Sequence, residues 1–126
     1  MKTSKGEEHI IRILRAAGVR FEREKTYTDL KGGSFRFDFY LPAYNILIEY
    51  DGEQHFKQVQ YFQRTRAEFL KQQENDRRKN SYCLANGITL LRIPFWELNN
   101  IQTFRDLFQN RFLVFSKWHN DYLVPK

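Results

Sequence analysis

Residues 34–51 read SFRFDFYLPAYNILIEYD. Two alternating runs flank a four-residue break, PAYN, at 42–45. Successive side chains of an extended chain point to opposite faces. The spacing therefore puts Phe35, Phe37, Phe39 and Leu41 on one side of a strand and Arg36, Asp38 and Tyr40 on the other. In a second strand, 46–51, Ile46, Ile48 and Tyr50 share one face, and Leu47, Glu49 and Asp51 share the other. A four-residue turn sets Leu41 opposite Ile46 and Asp38 opposite Glu49. The two carboxylates then share a face with Cβ atoms about 4.5–5.5 Å apart, where like charges repel unless something compensates them. Asp51 continues that face, and Glu53 comes after the break at Gly52. Oxygen ligands clustered in this way suit a hard cation such as Mg²⁺ or Mn²⁺. The alternative is a solvated sheet face, with Arg36 paired to Asp51 and no metal. Against it stand the apolar and aromatic flanks on both faces, a tight turn at Gly52, and His55, a general base within reach of the same place.

The flanking sequence supplies the rest of a mixed domain. Ser4 and Glu7 have the spacing of a capping box that opens a helix over 4–17, with Ile10, Ile11, Leu14 and Ala17 as its stripe and Gly18 at its end. Glu7 reads either as the cap or as an acid pointing into the domain, and the pattern alone favours the cap. Residues 20–28 predict a strand, Lys31-Gly32-Gly33 a turn, 64–86 a long helix ending at Gly87, and 88–93 a buried strand stopped by Pro94. A final amphipathic helix is expected over 103–117, capped by Thr103, with Phe104, Leu107, Phe108, Val114 and Phe115 on one side. The order is α-β-β-β-α-β-α, an α/β domain with a small mixed sheet between helices.

On the long helix, Phe69, Cys83 and Leu84 mark the inward side, with Gln73, Asp76 and Asn80 in the same sector and Lys79 beside it. Polar groups on an inward stripe need partners. Either the stripe is partly exposed, or it overlooks a polar site where Asp76 orients His55 by accepting its ring N–H.

Composition narrows the function. A chain of 126 residues is one domain's worth, and 41% hydrophobic content argues against disorder. A single cysteine rules out a disulfide framework and a Cys-rich zinc site. With no apolar run long enough to span a bilayer and a polar N-terminus, MKTSKGEEHI, the protein is expected to be soluble and cytoplasmic, with no membrane partner and no small-molecule cofactor. The net charge is +6, and its distribution is uneven: residues 1–56 carry nine basic and nine acidic side chains, so the whole excess lies in 57–126. Lys57, Arg64, Arg77 and Arg78 are the candidates for neutralising backbone phosphates. Arg66 and Lys71 read better as an ordinary solvated helix face. Tyr61, Phe62, Phe95 and Trp96 could stack on bases, although Phe95 and Trp96 read better as core.

The helical Glu7, the strand FRFDFYLP, the stretch IEYDGEQH, and ENDRRKNSYCLANGITLLRIPFWEL at 74–98 together resemble the PD-(D/E)xK nuclease superfamily, in particular its Vsr-like branch of very-short-patch-repair type endonucleases, some of which occur in phages. The likeness covers about residues 4–98. It implies a restriction-endonuclease-like core and a metal-dependent endonuclease that hydrolyses DNA phosphodiester bonds with Mg²⁺ or Mn²⁺. By position it makes Glu7, Asp38, His55 and Asp76 catalytic. Asp38, Glu49 and Asp51 are expected to hold the metal, with Glu53, Gln54, Lys79 and Asn80 in support. The chain departs from the pattern at Glu49-Tyr50-Asp51, where the family has Lys in the last place, so His55, Lys57 or Lys79 must fill that role. The cysteine-rich zinc site of the repair enzymes is also missing. DNA is the expected partner, and specificity is left to a dimer or a partner protein. A non-catalytic nucleic-acid-binding domain and an RNA-directed nuclease are the alternative readings.

Overall fold

The computed structural model describes residues 3–28, 33–52 and 66–115. Helix α1 (Lys5–Ala16) is followed by strands β1 (Glu22–Thr28), β2 (Ser34–Leu41) and β3 (Ile46–Asp51), helix α2 (Arg66–Asn86), strand β4 (Thr89–Pro94), three short 3₁₀ turns between Phe95 and Phe112, and strand β5 (Leu113–Phe115). The strands form one sheet in the order β1-β2-β3-β4-β5. Its pairs are antiparallel except β3–β4, which is parallel and joined through the α2 crossover. Lys31 and Gly32 of the expected turn before β2 lie outside the described residues. No helix among the described residues is long and apolar enough to cross a membrane.

Local chemistry accounts for the helix ends. Ser4 Oγ accepts from the Glu7 amide at 3.1 Å, and a Glu7 carboxylate oxygen accepts from the Ser4 amide at 3.0 Å, so the capping box is complete. Gly18 and Gly87 come after α1 and α2 at φ +69° and +66°, the left-handed conformation that stops a helix and is cheap only for glycine. Asn45 takes the same conformation at φ +54° to close the β2–β3 turn.

Two cores lie on opposite faces of the sheet. On the first, Ile10, Ile13 and Leu14 of α1 meet Phe39, Ile48, Leu91 and Ile93, with Ile101, Leu107 and Phe112 of the 3₁₀ segment. On the second, Cys83 of α2 meets Phe35, Phe37, Leu47 and Leu90. Leu47 alternates with Ile46 and Ile48, as a regular strand requires.

Strand β2 does not alternate in this way. The period-two pattern puts Phe35, Phe37, Phe39 and Leu41 on one face, yet Phe35 and Phe37 pack with α2 while Phe39 and Leu41 pack with α1. The strand changes cores at Asp38. Glu24, directly across β1 at this level, has φ +54°, and the β2–β3 ladder stops at Phe39–Ile48. A locally rotated backbone is how one strand feeds both layers.

The predicted helix over 103–117 is not formed. Thr103 and Asp106 do make a capping box, but the chain then forms only two short 3₁₀ turns, Phe104–Phe108 and Asn110–Phe112, before entering β5. Without β5, the outer edge of β4 would carry unpaired N–H and C=O groups. Leu113 and Phe115 satisfy them opposite Leu91 and Leu90.

The first turn of α1 lies against Tyr50. A Cβ placed on Gly6 would clash with the Tyr50 ring, so no larger residue fits without displacing that side chain. Gly6→Ala should destabilise the protein by roughly 1–3 kcal/mol in urea denaturation, the usual cost of overpacking, and Tyr50→Leu in the same chain should recover part of that loss. Equal stability of Gly6→Ala and wild type would contradict the close approach.

Candidate active site

Strands β2 and β3 part where the alternation breaks, and side chains take over the hydrogen bonding there. The Asp38 amide donates to Glu49 Oε1 at 3.0 Å. The Tyr50 amide donates to Asp38 Oδ2 at 2.7 Å. Each strand's carboxylate thus caps an N–H of the other strand, replacing the ladder that ends one pair earlier. The β2–β3 register extrapolates to Asp38 opposite Glu49, as the hairpin reading requires.

Helix α2 and strand β4 supply the counter-charges. Lys79 Nζ donates to Glu49 Oε2 at 2.9 Å, with the two side chains 19% and 9% exposed. Arg92, the cross-strand neighbour of Glu49 on β4, reaches Asp51 Oδ1 at 3.4 Å, Asn80 Oδ1 at 3.2 Å and Asp76 Oδ1 at 3.6 Å. One Arg92 amino nitrogen is buried without a hydrogen bond. These groups surround a cleft of about 380 Å³ walled by Asp38, Glu49, Asp51, Asp76 and Lys79, with Arg36 at its side.

The electrostatics arise from burial. Asp38 is pushed up from 3.8 to about 7, first by desolvation and next by the negative charge of Glu49; Glu7 acts in the same direction. The Tyr50 amide and Lys79 oppose the shift. Burial also raises Glu49, against Lys79, Arg92 and the Asp38 amide. Glu49 holds the ammonium directly, so it is the ionised member, and Asp38 is the one that retains a proton toward neutral pH. Among the described residues, Asp38 Oδ1 has no hydrogen-bond donor and remains for a ligand.

Five of the expected site residues, Asp38, Glu49, Asp51, Asp76 and Lys79, line the cleft, and Asn80 joins them through Arg92. Glu7 keeps its cap and also accepts from Arg23 at 3.1 Å. Arg77 pairs with Glu74 on the exposed side of α2, while the Arg78 guanidinium lies 5.0 Å over the Phe35 ring. His55, Glu53, Gln54, Lys57 and Arg64 lie outside the described residues, as do Tyr61 and Phe62. Arg36 pairs with Glu24 at 3.3 Å and Asp51 with Arg92, so the Arg36–Asp51 pair of the alternative, solvated-face reading is not formed.

Other inward assignments on α2 are corrected. Leu84 is 56% exposed and Gln73 is exposed. Gln72, Asp76, Lys79 and Cys83 form the inward stripe instead. The side chain of Phe69 lies outside the described ones. Among the described apolar side chains of this helix, the fully buried Cys83 marks the angular position of the stripe. Its thiol is pushed up to about 12, chiefly by burial, which leaves it without nucleophilic character near neutrality. Trp96 is 58% exposed and Phe95 half-buried, so neither is a core residue. They come after Pro94, the partner of Asp51, and project past the end of β4. Gln72, Asn75 and Arg92 are absent from the sequence-based expectation, although a charged residue such as Arg92 inside the run TLLRIP needs buried partners and carries that signal.

Among the described residues, no three His, Cys, Asp or Glu side chains form a metal-binding group. The carboxylate pair is nevertheless compatible with Mg²⁺, which is commonly bound through one or two carboxylates, water and substrate phosphate. Hard oxygen donors, an uncommitted Asp38 Oδ1 and a cation already on Glu49 fit such an ion.

Three curated viral proteins are similar to the chain. Uncharacterized protein 307L of Invertebrate iridescent virus 6 is 34% identical over 70 residues, 54% of this chain and 36% of its own length. Uncharacterized protein 033L of Invertebrate iridescent virus 3 is 29% identical over 66 residues, 52% of this chain and 34% of its own. Uncharacterized protein 094L of Frog virus 3 (isolate Goorha) is 34% identical over 85 residues, 64% and 55% respectively. The matches span between about a third and just over half the length of these relatives. No protein-family model matches, and no solved structure does.

The raised Asp38 has a measurable consequence. Folding favours its protonated form, so its contribution is fully present below about pH 4 and is lost as pH rises through about 7. In EDTA, Asp38→Asn should match wild type near pH 4 and exceed it at pH 8, by an amount on the order of a few kcal/mol. Denaturant titrations across that range check this; a pH-independent difference would refute the shift.

Proposed function

We propose that this cleft is the active site of a metal-dependent endonuclease that hydrolyses DNA phosphodiester bonds, on a core of the restriction-endonuclease-like kind. The observation that carries the reading is the crossed Asp38–Glu49 pair, a half-buried and a buried carboxylate held on opposed strands with cationic side chains beside them. A fold gains nothing from burying two acids against each other, and such an arrangement is common where ionisation is put to chemical use.

Each side chain has a role in this reading. Asp38 and Glu49 would hold Mg²⁺ or Mn²⁺, with Asp51 the next carboxylate along β3. When bound, the ion would polarise the scissile phosphate and stabilise the charge that develops on it. Arg92 ties Asp51, Asp76 and Asn80 into one rigid wall and keeps those acids from collapsing onto the pair. Lys79 lines the cleft and Arg78 lies over the ring of Phe35, which lines it too, so both are cations that duplex phosphates could meet in this reading. The proton transfer is assigned to His55 on the sequence resemblance, with Glu7 contributing negative charge near Asp38.

A plasmid-nicking assay with Mg²⁺, Mn²⁺ or EDTA tests the reading, run alongside an RNA of the same sequence. Wild type should cut DNA only with metal, and Asp38→Asn should lose at least about 10²-fold in rate while remaining folded. Preferential cutting of RNA would make the protein an RNA-directed nuclease. Tight binding with no metal-dependent cutting of either polymer would make it a binding domain on a nuclease scaffold.

A further inference from the structure

The two cations at the cleft are held differently. The Arg92 guanidinium is fixed by three partners on two elements, Asp51 on β3 and Asp76 and Asn80 on α2. Among the described residues, Lys79 has one ionic partner, Glu49 Oε2, and its ammonium otherwise lies 5.3 Å over the Phe37 ring. A planar fork with several partners is locked, whereas a point charge on a flexible four-carbon stem can swing. The Lys79 side chain is also twice as exposed as that of Glu49, so it has open cleft to move into.

A metal ion and the Lys79 ammonium would compete for Glu49 Oε2. An ion bound to it at the usual Mg²⁺ distance and an ammonium at 2.9 Å would lie within about 5 Å of each other in a poorly solvated site, where like charges repel strongly. The other Glu49 oxygen already accepts the Asp38 amide at 3.0 Å, so an ammonium moved there would share it with that N–H. We propose that Lys79 is an internal stand-in for the metal: its ammonium occupies Glu49 in the metal-free protein, and a divalent cation displaces it into the cleft, where it contacts a nucleic-acid phosphate. Metal binding and phosphate binding are then coupled through one side chain. This rests on the metal-dependent nuclease reading and names a regulatory step within it.

The coupling runs in both directions, and each direction can be read without turnover. In calorimetric titration with Mn²⁺, Lys79→Met should bind the ion about tenfold more tightly than wild type, because a competitor is gone, and Glu49→Gln should lose binding. In fluorescence anisotropy with a non-cleavable duplex, Mn²⁺ should steepen the salt dependence of wild-type binding by about one phosphate contact and leave the slope of Lys79→Met unchanged. If Lys79→Met does not fold, the wild-type protein still answers. The Lys79 ammonium resonance, assigned by its loss in Lys79→Arg, should be protected from exchange without metal and vanish into solvent exchange at saturating Mg²⁺. Equal or weaker Mn²⁺ binding by Lys79→Met, a slope that ignores metal, or an ammonium signal that persists at saturating Mg²⁺ would overturn the exchange. Failure of the wild type to bind any divalent cation would instead sink the nuclease reading on which it rests.

Discussion

The crossed clamp between Asp38 and Glu49 organises the rest of the molecule. Where the β2–β3 ladder stops, each carboxylate accepts an amide of the opposite strand, Asp38 N–H to Glu49 and Tyr50 N–H to Asp38. This satisfies backbone donors that the parted strands would leave bare. It also brings two acids into a buried space, which burial alone makes unfavourable. Lys79 and Arg92 are the answer to that cost, and they come from α2 and β4. Helix α2 and strand β4 are therefore bound to the hairpin by charge as well as by apolar packing.

The same point explains the irregular strand. One face of β2 could not fill both layers while also presenting Asp38 to the cleft. By rotating at Asp38, the strand sends Phe35 and Phe37 to α2 and Phe39 and Leu41 to α1. Glu24 at φ +54° on the neighbouring strand marks the level at which β1 follows the rotation. Departures from ideal geometry of this kind gather at functional sites because the surrounding packing must hold them there. Here that packing includes Tyr50 against the backbone of α1 at Gly6, an approach only glycine permits.

Much of the site is legible in the chain because it depends on local periodicity. The hairpin register comes from a four-residue turn, and Asp38 opposite Glu49 comes from the register. Asp76, Lys79 and Asn80 are recognisable as polar residues lacking any reason to lie inward. Arg92 carries an equal signal, a charge in a strand of buried aliphatics, but no local pattern names its partners on α2 and β3. The expected stripe of α2 lies about one residue off, toward Gln73 and Leu84, because a helix with so little apolar contrast leaves the wheel underdetermined. The C-terminal segment differs for another reason. Its aromatic and aliphatic residues fit a helical wheel, but β4 needs a partner along its edge, and a non-local demand of that kind is invisible to any local window.

The sequence by itself determined the α/β class, the cap of α1, the glycine stops of α1 and α2, the pairing of the two acids and the concentration of positive charge after them. These are set by turn chemistry, side-chain period and composition, all of which act over a few residues. Only the tertiary structure decided which counter-ions meet which acids, that β2 serves two cores, that Trp96 faces solvent and that the last apolar run becomes an edge strand. Each of those outcomes depends on contacts between segments tens of residues apart, such as Glu49 with Lys79 and Asp51 with Arg92. Their energy is released only when the sheet closes, so no stretch of chain carries them alone.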